Sequence, residues 1–385
     1  MDNPKKPKRS LETLVAQAGR HVDPITGSVI PPIHTSTTFA RDKNYQLIRE
    51  ETGYTRDENP MFEGPEEMIT ALEGGEDALL FSSGMAAITA LFRSLSKGDH
   101  IVAPSKMYFE VVRWLKYFSE KHEVGLTFFD PSDPSSLENA IEPGRTKMVW
   151  IETPANPTWD VTDIGHAAKL AHKVGAVLGV DSTVPTPVLT QPLNHGADFV
   201  FHSASKYLNG HSDVISGLLV TKEQNEIWEA VKFDRHHTGS ILGPIESWLL
   251  LRGLRTLFVR VERACESAMK IATHFHEHKK LDQVLYPGLA THPGHEVANR
   301  QMKGGFGGML SFLVKGGASE AIKVATQLKV FVPATSLGGV ESLVEHRKTA
   351  EGPESPTPDH LLRLSIGLEN VDDLIADLEQ ALESL

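Results

Sequence analysis

The sequence predicts an α/β protein with a large domain on a mostly parallel sheet and a smaller α+β C-terminal domain. Three observations carry this. The chain has 385 residues, beyond the ~250–300 residues at which one hydrophobic core usually stops growing, so two domains are expected. Between residues 65 and 220, short apolar runs are each followed by small or polar residues and then by helical periodicity. That alternation is the mark of βαβ units. From about residue 245 the pattern changes to a long helix and then to separate strand-like pieces.

Taken in order, DALLF (77–81) leads into SSGMAAITALF, and HIVAP (100–104) into SKMYFEVVRWLKYF. MVWIE (148–152) leads into TPANP, AVLGV (176–180) into DSTVP, and DFVFH (198–202) into SASKY. The amphipathic stretch 163–174 closes a crossover. Residues 244–275 read as a long helix broken near Gly253. GGMLSFLV (307–314) and LLRLSIGL (361–368) read as strands, and VDDLIADLEQALESL (371–385) as an amphipathic helix. The patch EGPESPTPDH (351–360) reads as a surface loop.

Composition narrows the function. A hydrophobic fraction of 40% and a charged fraction of 23% describe an ordinary globular protein. A net charge of −12 argues against nucleic acid as the main partner. The one cysteine, Cys265, excludes an intrachain disulfide framework and suits a reducing, cytoplasmic setting. It is expected to be a small residue on a helix face. No apolar run approaches the ~18 residues of a membrane span. The start, MDNPKKPKRS, lacks the apolar core of a signal peptide, and its basic cluster (Lys5, Lys6, Lys8, Arg9) is expected to be a frayed terminus. His274 and His278 stand one helical turn apart, but no HExxH or cysteine pair accompanies them, so no metal site is expected. The glycine run 304–308 is not followed by a helix and does not read as a dinucleotide loop.

In open α/β sheets, ligands bind beyond the carboxyl ends of the strands. Ser82-Ser83-Gly84-Met85 follows the first strand, and a helix start of small residues leaves N–H groups able to hold an anion. Asn156 follows MVWIE, Asp181 ends AVLGVD, and Ser203, Ser205 and Lys206 follow DFVFH. Singly, each has a plainer reading as a cap or a solvated side chain. Together they fit a phosphorylated aldehyde with a ring nitrogen. Pyridoxal phosphate needs a lysine for its Schiff base and a carboxylate for its pyridinium. A free lysine with pKa ~10.4 is a poor nucleophile at neutral pH, and burial or nearby cations lower that value.

At this point the sequence resembles the Cys/Met-metabolism family of pyridoxal-phosphate enzymes, from about residue 13 to the C-terminus. The resemblance is carried by VIPPIHTSTTF (29–39), YTRDENP (54–60), SSGMAA (82–87), ETPANP (152–157), DSTVPTP (181–187), HSASKYLNGHSD (202–213), SLGGVESLVEH (336–346) and RLSIGLE (363–369), in the family's order. It implies fold type I, the aspartate-aminotransferase-like fold. Lys206 resembles the Schiff-base lysine and proton shuttle, and Asp181 the pyridinium partner. Gly84 and Met85 resemble the backbone phosphate donors, with Ser203 and Ser205 as side-chain donors. Tyr54 and Arg56 match residues that reach the phosphate from a neighbouring subunit. Tyr108 matches the ring-stacking, proton-transferring tyrosine. Asn156, Arg363, Ser336 and Arg113 match substrate-binding positions, Arg363 as the carboxylate clamp and Asn156 also touching the cofactor.

The resemblance further implies a homotetramer, a dimer of dimers with shared active sites. Residues 1–60 would form an arm onto the neighbouring subunit, 61–255 the cofactor domain and 256–385 the small domain. The expected activity makes or breaks the Cγ–S bond of cystathionine or a related homoserine-derived amino acid, of γ-lyase or γ-synthase type. Alternatives are methionine γ-lyase, cystathionine β-lyase and O-acylhomoserine sulfhydrylase chemistry. From another class, the alternative is a relative that binds cofactor or amino acid without turnover. The sequence departs from many relatives at Phe109-Glu110, where two glycines are frequent, and at Gly53 and Met61. An added carboxylate at Glu110 either selects an amino-bearing side chain or points away.

Overall fold

The computed structural model describes residues 9–50, 52–133 and 135–385. Lys5, Lys6 and Lys8 of the basic terminus lie outside the described residues. A seven-stranded sheet comprises β1 (Asp77–Phe81), β2 (His100–Pro104), β3 (Gly125–Phe129), β4 (Thr146–Glu152), β5 (Val177–Asp181), β6 (Phe199–His202) and β7 (Gly217–Thr221). Its order is β1-β7-β6-β5-β4-β2-β3. Strands β2 to β6 pair in parallel, whereas β7 runs antiparallel between β1 and β6.

Successive residues of these strands face two different cores, as the period of two requires. Val102, Val149, Val180, Val200 and Val220 pack on one face with Ile69 and Leu250. Ile101, Trp150, Phe199 and Leu219 pack on the other with Leu91 and Trp228. This double burial is why the strands read as nearly continuous apolar runs. Strands β3 and β7 were not among the runs singled out from the sequence. Most of β3 is only half-buried at the sheet edge, and β7 is antiparallel and so falls outside the repeating strand–helix order.

A second, five-stranded sheet has the order β10-β11-β12-β9-β8, built from β8 (Leu281–Leu285), β9 (Met309–Val314), β10 (Val332–Pro333), β11 (Leu343–His346) and β12 (Leu361–Ser365). The long helical pattern divides into Pro244–Leu254 and Leu257–Phe275, broken just beyond Gly253. The second helix serves both sheets. Leu257, Val261 and Cys265 belong to the first core, and Ala268, Ile271 and Phe275 to the second. Cys265 is buried on this helix, and burial pushes its thiol up to about 12. His274 and His278 both pair with Glu379, at 2.7 and 3.4 Å.

The segment 351–360 is a loop beyond Glu351 and lies largely at the surface, as its sequence predicts, but two of its residues turn inward. Glu351 and Thr357 are buried. The Glu351 carboxylate accepts from Arg347 at 2.7 Å and from the Thr357 hydroxyl at 2.6 Å. A proline-rich composition gave no sign that one carboxylate would gather the segment around itself.

Gly217 marks where β7 passes over the helix start at Ser83. A Cβ at Gly217 would lie 2.3 Å from the Ser83 carbonyl oxygen and 2.6 Å from Gly84 Cα. Both are backbone atoms and cannot swing aside. Gly217→Ala is therefore expected to cost about 1–3 kcal/mol through overpacking, read as a lower urea midpoint with an unchanged m-value.

Candidate active site

The ends of β1, β4, β5 and β6 assemble the first part of the site. Ser83 caps the helix Gly84–Phe92, its hydroxyl accepting from Ala86 N at 3.1 Å. The N–H groups of Gly84 and Met85 stand in the first turn, where no intrahelical acceptor exists. The missing Cβ of Gly84 opens this turn to Ser203, whose Oγ would lie 3.2 Å from a Cβ there. Ser203 is held by its own N–H, which donates to Thr183 Oγ1 at 2.9 Å. Ser205, also expected as an anion donor, has its hydroxyl bonded both ways to the Ser216 backbone, at 3.1 and 2.8 Å.

Lys206 sits in the turn after β6. Two buried side chains fix that turn. His202, the last residue of β6, meets Glu73 at 2.5 Å, both fully buried. Arg260 donates to the carbonyl of Tyr207 at 2.7 Å and to that of Gly253 at 2.7 Å, stitching the turn to the helix break.

Asp181 ends β5 and Glu152 ends β4, and the two are register neighbours. Both are buried. Asp181 Oδ1 accepts from Thr183 N at 2.9 Å, and burial raises its pKa. Glu152 accepts from the backbone N–H groups of Tyr108 at 2.7 Å and Asn156 at 2.8 Å. Burial and the neighbouring Asp181 push Glu152 up to about 8, the usual outcome for two carboxyls sharing one site. Glu152 thus sets the backbone positions of both Tyr108 and Asn156. Sequence reasoning did not single it out, although MVWIE ends on a carboxylate as plainly as its neighbour strand does.

The second sheet supplies the rest. Lys206 Nζ donates to Ser336 Oγ at 2.6 Å. Ser336 holds φ at 82°, a left-handed conformation uncommon outside glycine. Burial first, then the Arg363 guanidinium, bring the Lys206 amine down to about 8. Arg363 is buried, donating to Ser336 O at 2.6 Å and to Asn156 Oδ1 at 3.3 Å, and it pairs with Glu345 at 2.6 Å. Glu345 also takes Arg347 at 2.6 Å. Glu345 and Arg347 are further residues that the sequence analysis missed, and a charged pair two apart on a strand end gave no separate signal.

Tyr108 stands at the start of the helix Phe109–His122, 39% exposed, and burial followed by Glu110 raises its pKa. Arg113 lines a cavity of about 420 Å³ beside Asn156, together with Phe109, Lys116 and Thr357. Its guanidinium is already engaged by Glu110 at 2.8 Å and by the Glu351 carbonyl at 3.0 Å. Glu110 therefore turns toward Arg113. Tyr54 and Arg56 lie on the exposed N-terminal segment, with Arg56 Cζ 5.3 Å from the Tyr54 ring centre. Within one chain, no contact among the described residues joins them to Ser203 or Lys206.

The lowered amine pKa has a direct consequence. In the cofactor-free protein, acetylation of Lys206 by acetic anhydride, followed by peptide mass spectrometry, should be half-maximal near pH 8. Exposed lysines should follow their ordinary pKa of ~10.4. A midpoint for Lys206 at that ordinary value would show the amine to be solvated.

Comparison with known proteins places this geometry. The model of the family described as Cys/Met metabolism PLP-dependent enzyme matches residues 12–383. The chain is 41% identical over 376 residues to cystathionine gamma-synthase of Mycobacterium tuberculosis, covering 96% of each chain. It is 39% identical over 381 residues to cystathionine gamma-lyase of Dictyostelium discoideum, covering 97% of each. The crystal structure of metB from Corynebacterium glutamicum superposes with a TM-score of 0.93 at 43% identity, covering 98% of each chain. The family match spans nearly the whole chain, and on it this protein belongs to the Cys/Met metabolism PLP-dependent enzymes.

Proposed function

We propose that this enzyme makes or breaks the Cγ–S bond of cystathionine or a related homoserine-derived amino acid, with Lys206 as its central base. The observation that carries the reading is the Lys206 amine. It is held by Ser336 Oγ at 2.6 Å, between the strand ends of the first sheet and Arg363 of the second.

The residues fit pyridoxal phosphate. Asp181 is a buried carboxylate with a backbone donor on one oxygen, suited to face a ring N–H. Gly84, Met85 and Ser203 gather donors at a helix start, where a phosphate is stabilised. Lys206 would hold the aldehyde. When bound, the cofactor supplies an electron sink for charge developing at the substrate Cα.

The chain's own groups do the rest. Arg363 and Asn156 grip the substrate carboxylate, since a guanidinium fork suits that group. Lys206 takes the proton from Cα; with a pKa of about 8, roughly a tenth of the amine is free base at pH 7, far more than an ordinary lysine of pKa ~10.4 offers. Tyr108 is the second acid–base group. Its raised pKa keeps the hydroxyl protonated and able to donate. The cavity lined by Arg113 and Lys116 receives the side chain beyond Cγ.

The N-terminal segment exposes Val22, Ile25, Val29, Tyr45 and Ile48, an apolar series that a second copy of the chain would cover. Tyr54 and Arg56 on it would then complete the partner's phosphate site. The assembly is a homotetramer with shared active sites, and the arm, large domain and small domain divide near residues 60 and 255. Among the described residues no helix is long and apolar enough to cross a membrane. With the one cysteine free and buried, a cytoplasmic setting suits the chain.

γ-Synthase and γ-lyase relatives at 41% and 39% identity do not separate replacement from elimination. A panel of cystathionine, methionine, cysteine and O-acylhomoserines, scored for thiol and 2-oxo acid release and, with cysteine added to the O-acylhomoserines, for cystathionine formation, does. Turnover of cystathionine or an O-acylhomoserine at least tenfold above the others is expected. Lys206→Ala should lose the visible band of the bound cofactor and about 10²–10⁴-fold of the rate, the range for a positioned acid–base group. No product from any substrate, with a normal cofactor spectrum, would favour a binding role instead.

A further inference from the structure

The inference rests on the reading of Arg363 as the substrate-carboxylate grip. Arg363 stands in the site with its charge already answered. Its Nη2 donates to the Ser336 carbonyl and meets Glu345 Oε2, both at 2.6 Å, and Nη1 donates to Asn156 Oδ1 at 3.3 Å. Its buried Nε–H has no acceptor among the described residues. Glu345 is the antiparallel register partner of Arg363, on the same face of β11 and β12. Left alone with Arg363, Glu345 would compete with any incoming carboxylate for the same nitrogen.

It is not left alone. The same oxygen, Glu345 Oε2, takes Arg347 Nη1 at 2.6 Å, while Oε1 has no partner. Arg347 is itself anchored. Glu351 Oε1 accepts from its Nε at 3.1 Å and from its Nη2 at 2.7 Å, and the Phe109 ring lies 5.5 Å from its Cζ. Glu351 is locked in turn by Thr357 at 2.6 Å and by Ser355. All four charged residues are buried, and their signs alternate along the row.

We propose that Arg347 is a positioning residue for substrate binding. It shares the charge of Glu345 with Arg363 and can take it over, so that Arg363 can give up Nη2 and its free Nε–H to the substrate carboxylate. On arrival of the substrate, Glu345 falls back on Arg347 alone.

The test uses the holoenzyme and glycine, which carries the amine and carboxylate but no side chain to eliminate. Its Kd is read by titration calorimetry, beside kcat and KM for the best substrate. Arg347→Gln should raise the glycine Kd and the KM about tenfold, with kcat within about threefold. Arg347→Lys keeps the charge and should stay within about threefold of the parent. The double variant Glu345→Gln/Arg347→Gln should recover to within about threefold, because the competitor is gone. A double variant as weak as Arg347→Gln, or weaker, overturns the proposal and marks Arg347 as structural only. Should Arg347→Gln fail to bind cofactor, Glu345→Gln alone decides: glycine bound at least as tightly as by the parent supports the proposal, and a Kd raised more than about threefold overturns it. Arg363→Gln separates the two readings. If it leaves the glycine Kd unchanged, Arg363 is not the grip. If it weakens glycine binding and Arg347→Gln does not, only the role of Arg347 falls.

Discussion

Holding a primary amine out of water is the constraint to which the rest of the site answers. A buried ammonium is costly unless it is paired. The chain offers Lys206 a hydroxyl at 2.6 Å rather than a carboxylate. Arg363 and Arg347 lie close enough to lower its pKa further, and Glu345 opposes them. The balance leaves an amine that gives up its proton near pH 8, instead of a fixed ion pair. A direct carboxylate partner would have made a more stable site and a worse nucleophile.

That balance draws on both sheets at once. Lys206, Asp181, Glu152 and Asn156 stand at or just beyond strand ends of the first sheet. Ser336, Glu345 and Arg363 come from the second sheet and the segment leading to it. Neither half is a site by itself. The helix Leu257–Phe275 contributes to both cores, and its Arg260 bonds the turn that carries Lys206. Packing of one helix therefore links the position of the amine to the arginine that tunes it. Core substitutions along this helix act on the site through geometry, with no change in any group that touches substrate.

Much of this was legible in the sequence, for a physical reason. A strand buried on both faces must be apolar throughout, so its end is marked by the first polar residue. That rule led to Asp181 at the end of β5 and to the segments beyond β4 and β6 that carry Asn156, Ser203 and Lys206, although it passed over Glu152. The helix break near Gly253 was legible because glycine there admits the Asn209 carbonyl, 2.2 Å from where a Cβ would sit. What stayed hidden depends on pairing between distant segments. Ser205 looked like a free donor, but Ser216, eleven residues on, satisfies it. Glu345 and Arg363 are eighteen residues apart and meet only because β11 and β12 are antiparallel in that register. Nothing local to either residue announces the other.

The same distinction explains why the chemistry is easier to read than the specificity. Chemical groups sit where the fold puts every ligand, at the carboxyl ends of parallel strands. The cavity beside Asn156 is walled by the segment 351–358, whose proline-rich sequence looks like a solvated loop. In the folded chain Arg113 and Arg347 both lie over the Phe109 ring, at 4.9 and 5.5 Å. Each also holds Glu351, Arg113 by its carbonyl and Arg347 by its carboxylate. Phe109 and Glu110, where relatives often carry glycines, are thus not idle departures. The ring gives the two arginines a surface to rest on, and the carboxylate neutralises one of them. A glycine pair there would remove both supports from the arginines that hold the segment. Phe109 also lines the cavity itself, beside Arg113 and the segment it helps to hold, so one ring shapes the pocket and fixes its wall together.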